Sequence, residues 1–328
     1  MNMVKENFEK RVYGEYEYDK MEIFTLKDGG QIQVHFKGSI FRNPSDTNSA
    51  PLLFVMPGLT SHSQSGYVRN MVDTAHSQGY QVILISYRGI GIPFTTPSLY
   101  CGNSIDDIYE PMKAMSQRYG QDSQGNKRKV FAIGASLGGT LLANALGDYA
   151  DEHLLDAACV VNTPLKVWEM TDFLKTSMNG AYNLHMSRGM SKLVESNFPL
   201  LDAHFKKELG IDLREALNKV KEEKSQLVFD DLITAPFFGR KGHLDLYRWT
   251  ACYYRIPKIQ TPTMFMSNLD DPILGEQSID YEMVRNNPNC VLATNRIGGH
   301  LGYHSSLFSL DVWFMQPVLS FLESQRDD

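Results

Sequence analysis

The pattern of apolar and polar positions changes character near residue 50. Before it, Glu22-Ile23-Phe24-Thr25-Leu26 and Ile32-Gln33-Val34-His35-Phe36 alternate with period two on either side of Lys27-Asp28-Gly29-Gly30. A strand with one buried face alternates in this way, and a turn-forming tetrapeptide between two such runs predicts an antiparallel hairpin. From residue 51 onward short continuous apolar runs take over, at 52–56, 82–86, 130–134, 157–161, 263–267 and 291–297. Such runs predict strands buried on both faces of a parallel sheet. Between the second and third, Ile105, Ile108, Met112, Met115 and Tyr119 recur every three or four residues, with Ser104 as candidate N-cap and Gly120 as stop. That spacing predicts an amphipathic crossover helix. Repeated strand-helix units behind an antiparallel start predict an α/β fold with a mostly parallel sheet.

The rhythm breaks over residues 165–262, where helical periodicity continues without another buried-strand run. This stretch reads as a helical cap or lid inserted into a sheet domain made of 21–164 and 263–328, with 1–20 as a polar N-terminal extension. Asp212-Leu213-Arg214-Glu215 has the form of a capping box, and the charges of residues 219–224 read as a solvated helix face. No internal repeat or low-complexity tract is visible.

Composition narrows the function classes. A chain of 328 residues with 42% hydrophobic and 21% charged residues is neither disordered nor fibrous. It is long enough to bury roughly three quarters of its extended surface around one large core. The formal charge of -6 argues against a nucleic-acid backbone or an anionic membrane surface as main partner. Cys101, Cys159, Cys252 and Cys290 form no CxxC pair, and they read as buried thiols in a reducing compartment. Residues 1–10 carry no apolar run of the kind a signal peptide or anchor needs, and 130–146 is too short and too interrupted to span a membrane. A cytoplasmic protein is expected, compatible with peripheral membrane association. The oligomeric state is not encoded in any of these features.

The chemistry concentrates where the 130–134 run ends. Gly134-Ala135-Ser136-Leu137-Gly138-Gly139 is a GxSxG segment between a buried strand and a helical run. Glycines two before and two after the serine permit a sharp strand-to-helix turn that lifts the hydroxyl clear of the sheet. A serine hydroxyl needs a base to take its proton and a carboxylate to orient that base. Downstream, Ser267-Asn268-Leu269-Asp270-Asp271-Pro272 follows one buried run and Gly298-Gly299-His300-Leu301-Gly302 follows the last. The candidate catalytic residues are therefore Ser136, Asp271 and His300, with Asp270 the alternative carboxylate. Each falls at the C-terminal end of a strand, where parallel sheets build their sites. The candidate oxyanion donors are the backbone N–H groups of Leu137, next to the nucleophile, and Leu59, in the loop after the first buried run. His304 lies four residues after His300, but neither HExxH nor a carboxylate partner accompanies the pair. No metal or other cofactor is expected.

In these segments the chain resembles the α/β-hydrolases, and within them the abhydrolase proteins grouped with plant embryogenesis-associated protein 8 and the fungal medium-chain ester synthases and esterases. The stretches that carry the resemblance are Pro57-Gly58-Leu59-Thr60, Tyr87-Arg88-Gly89 with Tyr100-Cys101-Gly102, Gly134 to Gly139, Phe229-Asp230-Asp231, Asp270-Asp271-Pro272 and Gly299-His300-Leu301-Gly302. They lie in family order within about residues 20–322. The resemblance implies an α/β-hydrolase fold, with nucleophile, acid and base on Ser136, Asp271 and His300. Two departures stand out. Ser61-His62 follow the PGLT segment where many relatives have a glycine, and the N-terminal membrane segment of many relatives has no counterpart in this sequence.

The resulting expectation is a carboxylic ester hydrolase acting on short- to medium-chain acyl esters of small molecules or lipids, through an acyl-enzyme on Ser136. The rivals are acyl transfer to an alcohol by the same residues and a non-catalytic binding protein of the same fold. Met170, Met178 and Met186 recur eight apart in the cap, which predicts one helix face forming an adaptable wall for an acyl chain.

Overall fold

The computed structural model describes residues 15–43, 49–303 and 313–326. The period-two opening folds as the expected hairpin. Strands β1 (Lys20–Thr25) and β2 (Gln31–Lys37) pair antiparallel, and the Gly29 N–H donates to Leu26 O at 2.9 Å across the turn, with Gly29 at φ 84°. The apolar runs become β3 (Leu52–Met56), β4 (Gln81–Ile85), β5 (Val130–Ala135), β6 (Ala157–Val161), β7 (Thr263–Asn268) and β8 (Cys290–Asn295). Among the described residues the sheet has eight strands in the order β1-β2-β4-β3-β5-β6-β7-β8, antiparallel at β1-β2 and β2-β4 and parallel from there on.

Alternation within the buried strands sorts their side chains onto two cores. Leu53, Val55, Phe131, Ile133, Cys159 and Val161 face helices α1 (Gly66–Ser77) and the C-terminal Met315–Ser324. Leu52, Phe54, Met56, Ala132, Ala158 and Val160 face α2 (Asp106–Tyr119) and α3 (Leu137–Asp148). Two expectations need correction. The run at 291–297 is not a strand buried on both faces: β8 lies at the sheet edge and stops at Asn295, and Ile297 is 78% exposed. Ser104 does not cap α2 with its side chain; its Oγ accepts the Cys101 N–H at 3.0 Å, closing the loop before the helix instead.

Between β6 and β7 the described chain is helical, chiefly α4 (Ala181–Ser196), α5 (Leu213–Glu223), a helix over 226–237 and α6 (His243–Thr250). Asp212 caps α5 by accepting the Glu215 N–H at 2.9 Å. Leu193, Val194, Leu201, Phe205, Leu217 and Phe229 join the same core as α2 and α3, so α4, α5 and the helix over 226–237 pack onto that face of the sheet, while Leu246 and Tyr247 of α6 belong to a separate apolar cluster. The four cysteines are unpaired and buried. Among the described residues no helix is long and apolar enough to cross a membrane.

Candidate active site

Ser136 occupies the hinge between β5 and α3 with φ 53° and ψ −119°, a conformation that strains any residue with a Cβ. Its neighbours explain how the chain tolerates it. A Cβ on Gly134 would lie 2.4 Å from Gly138 O, and one on Gly138 would lie 2.3 Å from Met56 O. Only glycines let the start of α3 press against β3 and β5 at this point. Thr163 Oγ1 donates to Ser136 O at 2.9 Å and anchors the turn from β6. The hydroxyl sits at the positive end of α3.

His300 Nε2 lies 3.0 Å from Ser136 Oγ, and its Nδ1 lies 2.7 Å from Asp271 Oδ2. A carboxylate can only accept, so Nδ1 carries the proton and Nε2 is left as the acceptor that faces the serine hydroxyl. Asp271 is 1% exposed, and its Oδ1 accepts the Ile273 and Leu274 N–H groups at 2.8 and 3.1 Å. Asp270 points elsewhere: its Oδ1 accepts the N–H groups of Gly298 and Gly299, both at 2.9 Å. Of the two adjacent carboxylates, Asp271 meets the imidazole and Asp270 holds the backbone of the loop that carries it. His304 lies outside the described residues.

Two residues that motif reading passed over complete this arrangement. Asn162, just past β6 with φ 45°, donates its amide to Asp271 Oδ2 at 3.1 Å and to Gly299 O at 2.8 Å. Its Oδ1 accepts the Tyr303 hydroxyl, which ties in the far side of the histidine loop. The only sequence signal was an Asn at a strand end, a residue type that tolerates a left-handed backbone.

The loop after β3 turns back over the serine. Gly58 leaves room for this, since a Cβ there would lie 3.3 Å from Ser136 Cβ. The Gly58 N–H is consumed by the Tyr67 hydroxyl at 2.7 Å, which in turn donates to Ser61 Oγ at 2.9 Å, and Tyr87 donates to Pro57 O at 2.6 Å. Ser61, a departure from the family pattern, is thus part of the loop's bracing. Among the described residues the Leu59 N–H donates to nothing, and Leu137 is the first residue of α3, where no preceding turn offers an acceptor.

Ser136 opens into a cavity of about 120 Å³ whose walls include Leu59, Leu137, Met170, Met186 and Met190. That volume is several times the roughly 15 Å³ needed by one water. Met178 does not join this wall: it is 65% exposed, in a turn over Ser177–Gly180 with φ 48° that separates the helix Thr171–Thr176 from α4. The eight-residue spacing holds only while a helix is continuous, so the expectation of a single methionine face fails at Met178. Among the described residues no group of three or more His, Cys, Asp or Glu side chains is placed to hold a metal ion.

Comparison with known proteins agrees with this architecture. The model of the alpha/beta hydrolase fold family matches residues 51–296. A monoacylglycerol lipase of Saccharomyces cerevisiae is 27% identical over 286 residues, covering 86% of this chain and 61% of its own length. Embryogenesis-associated protein EMB8 of Picea glauca is also 27% identical, over 87% of this chain and 61% of its own. Phospholipase ABHD3 of Bos taurus is 24% identical over 90% of this chain and 69% of its own. The chain thus spans about three fifths of the length of the first two relatives. Among solved structures, the Pyrococcus furiosus esterase Pf2001 superposes with a TM-score of 0.59 at 16% identity, covering 95% of this chain and 92% of that one, a likeness of fold. By sequence and by topology, the chain belongs to the alpha/beta hydrolase fold family.

Proposed function

We propose that the protein is a serine hydrolase of carboxylic esters with short- to medium-length acyl chains, in which residues 165–262 act as a cap over the reacting centre. The observation that carries this reading is the line from Ser136 Oγ through His300 to Asp271, at 3.0 and 2.7 Å, opening into a mostly apolar cavity. His300 Nε2 takes the hydroxyl proton as Ser136 Oγ attacks the ester carbonyl, and the Leu59 and Leu137 N–H groups receive the developing oxyanion. His300 then gives the proton to the departing alkoxide, leaving an acyl-enzyme. Water attacks the acyl carbon next, with His300 taking its proton and returning it to Ser136 Oγ as the bond from that oxygen to the acyl carbon breaks, which releases the acid product and restores the serine hydroxyl. Asp271 keeps the imidazole in the required tautomer and stabilises its charged form. Met170 and Met186 line the acyl-chain wall, and no cofactor takes part. The relatives named as monoacylglycerol lipase and phospholipase support a lipid-like ester as substrate class.

The test is hydrolysis of p-nitrophenyl esters of graded acyl length by wild type and Ser136→Ala, with a fluorophosphonate probe for the nucleophile. Ser136→Ala is expected to lose on the order of 10^4 to 10^6 in kcat and all labelling. Retention of most hydrolysis would refute the assignment. Product analysis with added ethanol measures how far an alcohol replaces water in deacylation.

A further inference from the structure

The cavity at Ser136 is apolar along Leu59, Met170, Met186 and Met190 but polar at a place remote from the nucleophile. Thr140 lies one turn along α3 from Ser136, about 5.4 Å farther on. Gly102 fills the gap between Thr140 and Thr250, since a Cβ on it would lie 2.9 Å from Thr140 Cγ2 and 3.2 Å from Thr250 Cβ. On α6, Tyr247 lies within one turn before Thr250, and its hydroxyl donates to Asp230 Oδ2 at 2.5 Å. Asp230, Gln226 and Thr234 come from the helix over 226–237 and reach the same cavity.

This polar group is built in, not incidental. Asp230, Gln226, Thr234 and Tyr247 are 6%, 3%, 3% and 6% exposed. The helix widens into π-helical turns over Asp230–Thr234, a distortion commonly found at functional sites. The backbone N–H of Gln226 is pinned by Asn183 Oδ1 at 2.7 Å, which fixes where its side chain starts. Yet Gln226 Oε1 and Thr234 Oγ1, although beside the Asp230 carboxyl, have no hydrogen-bond partner of normal geometry among the described residues. Burial holds the carboxyl above the usual range, against the lowering effect of the Tyr247 hydroxyl and of the nearby Thr234 and Gln226 side chains. The group thus offers acceptors lacking a donor, together with a hydroxyl that can donate, in surroundings that disfavour net charge. A hydroxyl is the small neutral group that both donates and accepts.

We propose that Asp230, Tyr247, Gln226 and Thr234 form a substrate subsite for an uncharged hydroxyl carried remote from the scissile ester, which selects hydroxylated esters over hydrocarbon esters of the same length. The proposal rests on the serine ester-hydrolase reading. The hydroxyl has two possible sources, a hydroxylated acyl chain or a polyol alcohol, and paired substrates separate them. One pair is p-nitrophenyl 8-hydroxyoctanoate against p-nitrophenyl octanoate; the other is glyceryl 1-octanoate against propyl octanoate. Wild type is expected to prefer the hydroxylated member of one pair by about 10-fold or more in kcat/KM, because its absence leaves buried polar atoms unpaired. Gln226→Leu and Thr234→Val are each expected to bring that ratio towards 1, whatever they do to overall turnover. A ratio near 1 in both pairs for wild type, or a wild-type preference that both variants retain, overturns the subsite. Binding of 1-O-hexylglycerol against hexyl propyl ether, and of 1,8-octanediol against 1-octanol, by calorimetry reads the same ratio without turnover. Wild type that turns over no ester, or Ser136→Ala that keeps its activity, refutes the ester-hydrolase reading, while the calorimetric ratios still decide the subsite.

Discussion

Asn162 Nδ2 donates to Asp271 Oδ2 across 3.1 Å, so the carboxylate facing His300 is held from the end of β6 as well as by its own turn. The same amide reaches Gly299 O, next to the histidine in sequence. In the proposed mechanism Asn162 is a positioning residue: it couples Asp271 to the loop of His300 and touches neither Ser136 nor His300. Asn162→Gly keeps the left-handed backbone and deletes the amide with its contacts to Asp271, Gly299 and Tyr303. Hydrogen bonds to a charged group contribute about 1.5–3 kcal/mol, which corresponds to about 10- to 100-fold in rate. The expected result is a fall of that size in kcat and in the fluorophosphonate inactivation rate with KM nearly unchanged, alongside a lower thermal midpoint because the buried Tyr303 hydroxyl loses its acceptor. A loss confined to thermal stability would show that the amide is only structural.

Gly138→Ala tests the steric account of the serine turn. Its Cβ would meet two backbone carbonyls, Met56 O at 2.3 Å and Pro57 O at 2.6 Å, and neither can rotate away. A destabilisation of at least about 3 kcal/mol in denaturant unfolding is expected. Gly210→Ala is the contrast: nothing stands within 4 Å of the new methyl, so only the φ of +66° is felt, at about 1–2 kcal/mol.

His35 sets an acid limb of stability. It is buried on β2, its Nε2 has no partner among the described residues, and burial lowers its pKa from 6.5 to about 4. Between those values the unfolded chain binds a proton that the native state refuses, so stability falls as pH drops from about 6.5 to about 4. His35→Leu is expected to flatten the pH dependence of the urea midpoint across that interval. An unchanged slope would exclude His35 as its source.

Arg88 joins three parts of the fold. Its guanidinium makes paired bonds of 2.7 Å to both Asp107 oxygens, at the start of α2, and reaches Asp28 in the hairpin turn at 2.7 Å. Burial already pushes the Asp107 carboxyl up, opposed by the arginine. Arg88→Met leaves that carboxyl buried and unpaired, an expected cost of about 3–5 kcal/mol in equilibrium unfolding. Arg88→Met combined with Asp107→Leu should recover much of it, since replacing both partners by apolar groups is often neutral. Failure of the double variant to recover would mean that the arginine stem and the Asp28 contact carry the stabilisation.

Much of this protein is legible in one dimension because the controlling interactions are local. Period-two alternation and continuous apolar runs follow from strand geometry, so the hairpin and the parallel strands could be read directly, and the GxSxG spacing marks a recurrent strand-to-helix turn, whose demand on Gly134 is local while that on Gly138 comes from β3. The reading failed where burial depends on sheet order, as for β8 at the edge, or on helix continuity, as for Met178 beyond a break. What tertiary structure alone decided is convergence. Asp270 and Asp271 are adjacent, with Asp271 the expected carboxylate and Asp270 its alternative, and the path of the loop over 298–303 turns Asp271 to the imidazole and Asp270 to the backbone. Asn162 belongs to no motif, because it acts through contacts 109 to 141 residues away, and the Phe229-Asp230-Asp231 stretch does not announce the π turn that sets Asp230 beside Tyr247, Gln226 and Thr234. Periodicity records which face of an element is buried; which side chains meet across the cavity depends on how loops with left-handed residues bring separate strand ends together.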